Sequence, residues 1–224
     1  MKHSVNGLET VAVSPFKGIA RPVLISSVLF MLVTGVIYPL ATTGAANALF
    51  PAQARGSLIE AGGHVVGSRM IGQYFTQPQY FHGRPSVTSE PDPLDPSKSV
   101  DRPYNAAMSG ASNQGVASKK LLDAVAQRAR EYRQENGLGA DAKVPVDAVT
   151  ASASGLDPHI SVENARIQAA RVAHARGLTL QSVLSSVERH TAGRQLGVFG
   201  EPRVNVLELN LALDAAAKRQ SSAQ

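Results

Sequence analysis

From Val23 to Ala54 the chain reads VLISSVLFMLVTGVIYPLATTGAANALFPAQA, with no charged residue, and its first part, Val23 to Leu40, is dense in Val, Leu, Ile, Phe and Met. A helix rises about 1.5 Å per residue and satisfies its own backbone, so about 20 apolar residues match the hydrocarbon core of a bilayer. The stretch is expected to form one transmembrane helix. Two rival readings fit less well. Ala52 and Ala54 have the A-x-A spacing of a signal-peptidase site, but the apolar core of an export signal is about 7–15 residues long, and this run is much longer. A core helix of a soluble protein does not account for an uncharged run that begins just after Lys17 and Arg21. Pro39 is expected to kink the helix near its far end, which membrane helices tolerate when neighbours satisfy the freed carbonyl.

Lys2, Lys17 and Arg21 precede the run against one carboxylate, Glu9, while the nearest cations beyond it are Arg55 and Arg69. The excess of cations on the N-terminal side places that end in the cytoplasm and the rest of the chain outside it. The expected organisation is a cytoplasmic tail over residues 1–21, a transmembrane region over 22–50, one periplasmic domain over 51–214 and a frayed tail over 215–224. With 0 Cys, a disulfide framework and a thiolate zinc site are both excluded. The net charge of +5 is mild and scattered, and 5% aromatic content without Trp leaves no stacking platform, so nucleic acid is not the partner.

Along the chain, Ser57–Glu60 and Val65–Ser68 flank Ala61-Gly62-Gly63-His64 as a hairpin. Residues 78–103, rich in Pro, Ser and Asp, read as an extended surface loop. Ser118 caps a helix to Asn136 with Leu121, Leu122, Val125, Ala129 and Tyr132 as its apolar stripe, Arg128, Arg130, Glu131 and Arg133 on a solvated face, and Gly137 as its stop. Ser161 opens a second helix to Arg176, with Ala165, Ala169, Val172 and Ala173 facing inward and Gly177 past its end. A third starts after Thr179 on Leu180, Val183, Leu184 and Val187. VNVLELNLALD alternates partly as a strand would, yet Asn205 as cap, Glu208 bonding back to it, and Val204 with Leu209 as a staple favour a helix. The fold class is α+β: one transmembrane helix, then a single, mostly helical domain with a few short strands.

Candidate chemistry is sparse. There is no G-x-S-x-G, H-E-x-x-H or G-x-x-x-x-G-K-[ST], and the six His have no placed partner. Asp92, Asp95 and Asp101 are close enough in sequence to hold a hard cation, but a solvated acidic loop interleaved with Ser and Lys98 is the favoured reading. Ser109 to Gly115 exposes amides ahead of the Ser118 helix, as an anion nest does, but these are also the residues any turn feeding a helix needs, and that plainer reading is preferred. Asp157, His159 and Ser161 alternate at a helix entrance, where Asp157-Pro158 also reads as a turn.

The segments GSRMIGQYFTQPQYFHGRPS (67–86), YNAAMSGASNQG (104–115), VPVDAVTASASGLDPHIS (144–161), QAARVAHARG (168–177) and GEPRVNVLELNLALD (200–214), behind a single N-terminal helix, resemble the C subunit of the bacterial potassium-transporting P-type ATPase, the Kdp complex. The resemblance covers the helix and nearly all of the domain. It implies an inner-membrane subunit that joins a channel-like potassium-translocating subunit and a P-type ATPase catalytic subunit, stabilises their assembly, and has no catalytic residue or metal of its own. ATP is implied by the resemblance alone, and a nucleotide role conflicts with a domain placed outside the cytoplasm; Ala111 also stands where the family pattern has a second Gly. Partner contact is expected at Gly35 and Tyr38 in the helix and at Ser109, Gly110, Asn113, Asp157, His159 and Asn205 in the domain. The alternative is a free-standing anchored periplasmic module binding a small polar ligand.

Overall fold

The computed structural model describes residues 18–221. The expected cytoplasmic tail lies outside the described residues as far as residue 17, as do residues 222–224. The chain divides into two compact units, one ending at Arg55 and one beginning at Gly56.

In the first unit, α1 (Ala20–Leu32), a π-helical turn (Val33–Ile37) and α2 (Tyr38–Leu49) form one helix, Ala20–Leu49, of 30 residues and mean hydropathy 2.2. It is long and apolar enough to cross a membrane, and its large apolar side chains are exposed along its whole length. The π turn ends two residues before Pro39: the Tyr38 amide donates to the Val33 carbonyl, one residue further back than in an α-helix. A short α3 (Pro51–Ala54) follows.

The second unit mixes helices with short strands. β1 (Leu58–Ala61) and β2 (His64–Ser68) form the expected hairpin about Gly62-Gly63, with a register shift between Ile59 and Glu60. A second hairpin, β3 (Ser89–Pro91) and β4 (Ser99–Asp101), lies within residues 78–103. Then come α4 (Lys119–Glu135), α5 (Val146–Val149), β5 (His159–Ser161), α6 (Val162–Arg176), α7 (Leu180–Arg189), β6 (Thr191–Ala192), β7 (Arg203–Asn205) and α8 (Val206–Ser221). The three last strands form an antiparallel sheet in the order β5-β7-β6, in which His159 pairs with Asn205 and Ile160 with Val204.

The core joins this sheet to α6, α7 and α8. Ala165, Ala169 and Val172 of α6, Val183 and Val187 of α7, Val204 of β7 and Leu209 of α8 are fully buried. Small residues along α6 let the helices approach closely, and each buried Val or Leu contributes about 1.5–3 kcal/mol relative to exposure. α6 starts as its sequence dictates, since Ser161 Oγ accepts from the Asn164 amide at 3.1 Å. It stops at Gly177, whose φ of +63° favours a residue without a β-carbon. Thr179 caps α7 in the same way, through the Ser182 amide.

Several local expectations change. Ser118 precedes α4, but its hydroxyl donates to Gln114 Oε1 at 2.7 Å rather than capping the helix. Leu122 and Leu180 are exposed at the edges of their stripes. Arg128 and Arg133 leave the solvated face of α4 to donate to the Val149 and Ala142 carbonyls. Asn205 does cap α8, accepting from the Glu208 amide at 3.1 Å, yet the Glu208 carboxylate reaches Arg69 at 2.6 Å instead of closing back on the cap. α8 remains helical through Ser221, past residue 215.

The largest difference concerns residues 78–103, which are not simply surface. Phe81 is fully buried in the core and Thr88 is 1% exposed. Two core amides hold this segment. Asn210 of α8 accepts from the Phe81 amide at 2.8 Å and donates to the Phe81 carbonyl at 3.0 Å. Gln168 of α6 repeats the arrangement on the next residue, accepting from the His82 amide at 2.7 Å and donating to its carbonyl at 3.1 Å. A chain that cannot pair as a strand beside its prolines is instead bonded by side chains that imitate one.

Candidate functional site

The segment clamped at Phe81 and His82 runs on into a cleft of about 420 Å³, lined by Arg84 and Tyr104, by Arg128, Tyr132 and Glu135 of α4, and by Gln168 of α6. A continuous polar network underlies it. Asp147 accepts from the Ser161 amide, the Ser161 hydroxyl and Asn164 Nδ2 at 2.8, 2.9 and 3.0 Å. Asn164 Oδ1 accepts in turn from the Tyr132 hydroxyl and from Gln168 Nε2, both at 2.8 Å. Gln168 Oε1 also receives Arg171 at 2.7 Å. Asn164 and Gln168 are 1% and 2% exposed, so leaving any of these groups unpaired would incur its full desolvation penalty.

The network ends in charge. Glu135 Oε1 lies 2.7 Å from His82 Nδ1 and 3.8 Å from Arg171 Nε. Burial raises the Glu135 pKa, but the hydrogen bond and charge of His82, with Arg171 behind it, outweigh burial and hold the carboxyl below its ordinary 4.5. Burial lowers the Arg171 pKa and pushes the Tyr132 hydroxyl well up, keeping it a neutral donor.

A second cluster joins the cleft wall to the GLDPHIS segment. Arg84 donates to Asp157 Oδ2 at 3.2 Å and to the Thr150 and Ala151 carbonyls at 3.3 Å each. Asp157 Oδ1 accepts from the His159 amide at 3.0 Å. Burial raises the Asp157 pKa, and the His159 and Arg84 contacts together overcome it, holding the group below 3.8.

Tyr104 is the hinge pin between the two clusters. Its φ of +59° is rare for a bulky residue, and two bonds fix it: its amide donates to Ser86 Oγ at 3.0 Å and its hydroxyl to the Arg84 carbonyl at 2.8 Å. The ring lies against Gly72 and Gly83, where an added β-carbon would collide with it. This packing explains why glycine stands at those two positions of the GSRMIGQYF and HGRPS segments.

The expected contact residues are thereby placed. Ser109 Oγ and the Gly110 amide both donate to the Ser154 carbonyl, at 3.0 and 2.9 Å. They therefore dock beside the segment that carries Asp157 and His159. Asn205, 5% exposed, pairs with His159 across the sheet and donates to the Arg69 carbonyl at 2.9 Å. Asn113 is exposed with φ +51°. Gly35 and Tyr38 belong to the apolar helix, in the other compact unit. Among the described residues no group of three or more His, Cys, Asp or Glu could hold a metal, so Asp92, Asp95 and Asp101 form no such centre; Asp95 is instead bonded to Ser97 and Lys98. Sequence reading did not single out Arg84, Tyr104, Asp147, Asn164 or Gln168. Arg84, Tyr104, Asp147 and Gln168 lie inside the quoted family segments, and Asn164 and Gln168 stand at i, i+4 on the otherwise apolar face of α6, which is the signal that marks them.

Residues 20–215 match the family model described as KdpC, K+-transporting ATPase, c chain. The chain is 53% identical over 199 residues to the potassium-transporting ATPase KdpC subunit of Bradyrhizobium diazoefficiens, covering 89% of this chain and 98% of that one. The KdpC subunit of Rhodopseudomonas palustris gives the same figures, and that of Methylobacterium nodulans is 54% identical over 197 residues, covering 88% of this chain and 96% of that one. The family model spans the apolar helix and the domain alike, and the chain belongs to the KdpC family, the c chain of the K+-transporting ATPase.

Proposed function

We propose that this chain is a non-catalytic accessory subunit that stabilises the union of the potassium-translocating and ATP-hydrolysing subunits of the complex. The observation that carries the reading is the family match across both the apolar helix and the domain. The internal bonding supports it. The polar groups of the cleft are engaged with one another, as the Asp147-Asn164-Gln168 chain and the Arg84-Asp157 pair show, and such saturation suits a rigid body that presents loops. The helix anchors the chain in the inner membrane, and Lys2, Lys17 and Arg21 favour a cytoplasmic N-terminus with the domain in the periplasm. In that orientation the domain meets potassium and the translocating subunit, not ATP, so help in nucleotide binding is the less supported role.

The test is affinity purification of the tagged chain from its native membrane under potassium limitation, followed by a potassium-stimulated ATPase assay. Two large membrane subunits are expected to co-elute, with activity that disappears when this chain is omitted. A chain that elutes alone, while potassium pumping proceeds without it, refutes the proposal in favour of a free-standing binding module.

A further inference from the structure

The π turn leaves the Thr34 carbonyl of the apolar helix without a backbone donor. In a regular helix the Thr34 carbonyl accepts from the amide of Tyr38, four residues on, and in a π turn from residue 39, five on. Tyr38 donates to Val33. Residue 39 is proline and has no amide. Nearby hydroxyls do not fill the gap: Thr34 Oγ1 donates backwards to the Phe30 carbonyl at 2.7 Å, and Thr42 Oγ1 covers the Tyr38 and Pro39 carbonyls at 2.8 and 3.1 Å. The neighbouring residue is Gly35, with open space where a β-carbon would stand, so the backbone here is uncovered.

Water satisfies such a carbonyl at a surface, but hydrocarbon cannot, and an unpaired backbone group there costs several kcal/mol. The turn lies in the interior of the 30-residue helix Ala20–Leu49, about 20 Å from its N-terminal end at 1.5 Å per residue. We infer that the Thr34-Gly35-Tyr38 face is the intramembrane docking site for a helix of another subunit of the potassium-transporting ATPase, which presents a hydroxyl or amide donor to the Thr34 carbonyl. The missing side chain at Gly35 admits the partner backbone closely, and Pro39 keeps the carbonyl available by withholding the competing donor. A second copy of this chain is a poorer occupant: in the segment Val33–Leu40 its only side-chain donors are the hydroxyls of Thr34, already given to Phe30, and Tyr38.

This inference rests on the accessory-subunit reading and is tested in the assembled complex. A photoreactive phenylalanine analogue is placed singly at Leu32, Thr34, Val36 and Tyr38 of the full chain, and the complex is irradiated in its membrane. Adducts with another subunit are expected from Thr34 and Tyr38 and not from Leu32 and Val36, on the opposite side. In parallel, Pro39→Ala restores an amide within reach of the Thr34 carbonyl while favouring the helix, so failure to fold is not an outcome. It is expected to weaken retention of this chain in the detergent-solubilised complex about threefold to tenfold. Adducts to a second copy of this chain, adducts only to lipid, or an even spread around the helix together with unchanged retention of Pro39→Ala overturn the inference. If the unsubstituted chain does not co-purify with other subunits at all, it is the accessory-subunit reading that has failed.

Discussion

Tyr104 and Gly83 offer a quantitative test of how the cleft is built. Replacing Gly83 by Ala would drive a β-carbon into the Tyr104 hydroxyl, with the ring carbon behind it at 3.2 Å. The hydroxyl cannot swing away, because it is fixed to the Arg84 carbonyl at 2.8 Å and the ring is backed by Gly72. Overpacking of this kind costs about 1–3 kcal/mol. Tyr104→Phe alone removes one hydrogen bond, a loss of about 1 kcal/mol. If the two changes were independent, the double variant would lose about 2–4 kcal/mol. The geometry predicts otherwise: without the hydroxyl the nearest atom is the ring carbon at 3.2 Å, which a shift of a few tenths of an ångström relieves, so Gly83→Ala/Tyr104→Phe should be only slightly less stable than Tyr104→Phe. The assay is urea unfolding of the full chain in detergent, followed by far-ultraviolet circular dichroism, with the four variants forming a thermodynamic cycle. On heating, the single Gly83→Ala variant should melt about 2–12 °C lower, since 1 kcal/mol moves the midpoint of a domain of this size by about 2–4 °C. Gly72→Ala is the control, because its β-carbon would also meet the Asp157 carbonyl at 2.7 Å, which Tyr104→Phe does not relieve. Additive losses for Gly83 and Tyr104 would refute the proposed contact.

Asn210→Leu should be far more damaging than its similar volume suggests, by about 2–5 kcal/mol, because it strips both the amide and the carbonyl of buried Phe81 of their partners; hydrogen exchange at the Phe81 amide reads the effect, and continued protection there would contradict it. Ser161→Ala should cost about 1 kcal/mol through the lost cap of α6, whereas Ser118→Ala should cost only a few tenths, since Ser118 makes no capping bond, and equal losses in urea titrations would show that the caps are misassigned. Acid should destabilise the domain in a defined window. The Asp157 and Glu135 carboxyls are held below 3.8 and 4.5 in the folded protein, so their stabilisation is complete above those values and disappears as pH falls through the depressed ones. Asp157→Asn should therefore flatten the dependence of the urea midpoint on pH below about 4.5, and a variant with the original acid slope would show that the His159 and Arg84 contacts of Asp157 do not govern it.

What could be read from the sequence was local. Ser161, Thr179 and Gly177 act within one helical turn of themselves, and the alanines and valines of α6 and α7 repeat at 3.6 residues, so caps and stripes emerge from short windows. Charge absence from Val23 to Ala54 is equally plain. The π turn was not legible, because its only local mark, Pro39, is compatible with a kink, a break or a bulge. The polar network was hidden for a different reason. Asn210 meets Phe81 across 129 positions and Gln168 meets His82 across 86, and an amide in an apolar stripe does not reveal which distant backbone it will serve. The same distance explains why residues 78–103 read as surface: proline and serine report correctly that no strand forms at Phe81, but not that core side chains supply the missing partners.

That substitution of side-chain amides for strand pairing bears on how the domain can serve a larger assembly. A paired strand extends a sheet and exposes a further edge, whereas Asn210 and Gln168 satisfy Phe81 and His82 and leave residues 83–88, ahead of β3, unconstrained by sheet geometry. The segment can then turn at Arg84 to bind Asp157, pass under Tyr104 and lead into the β3-β4 hairpin, with each step fixed by a bond to a different element. The chain's proline-rich stretch is held by long-range bonds to the core while its hairpin tip remains exposed. Contact loops built in this way reach a partner already ordered, so little conformational entropy is lost on assembly.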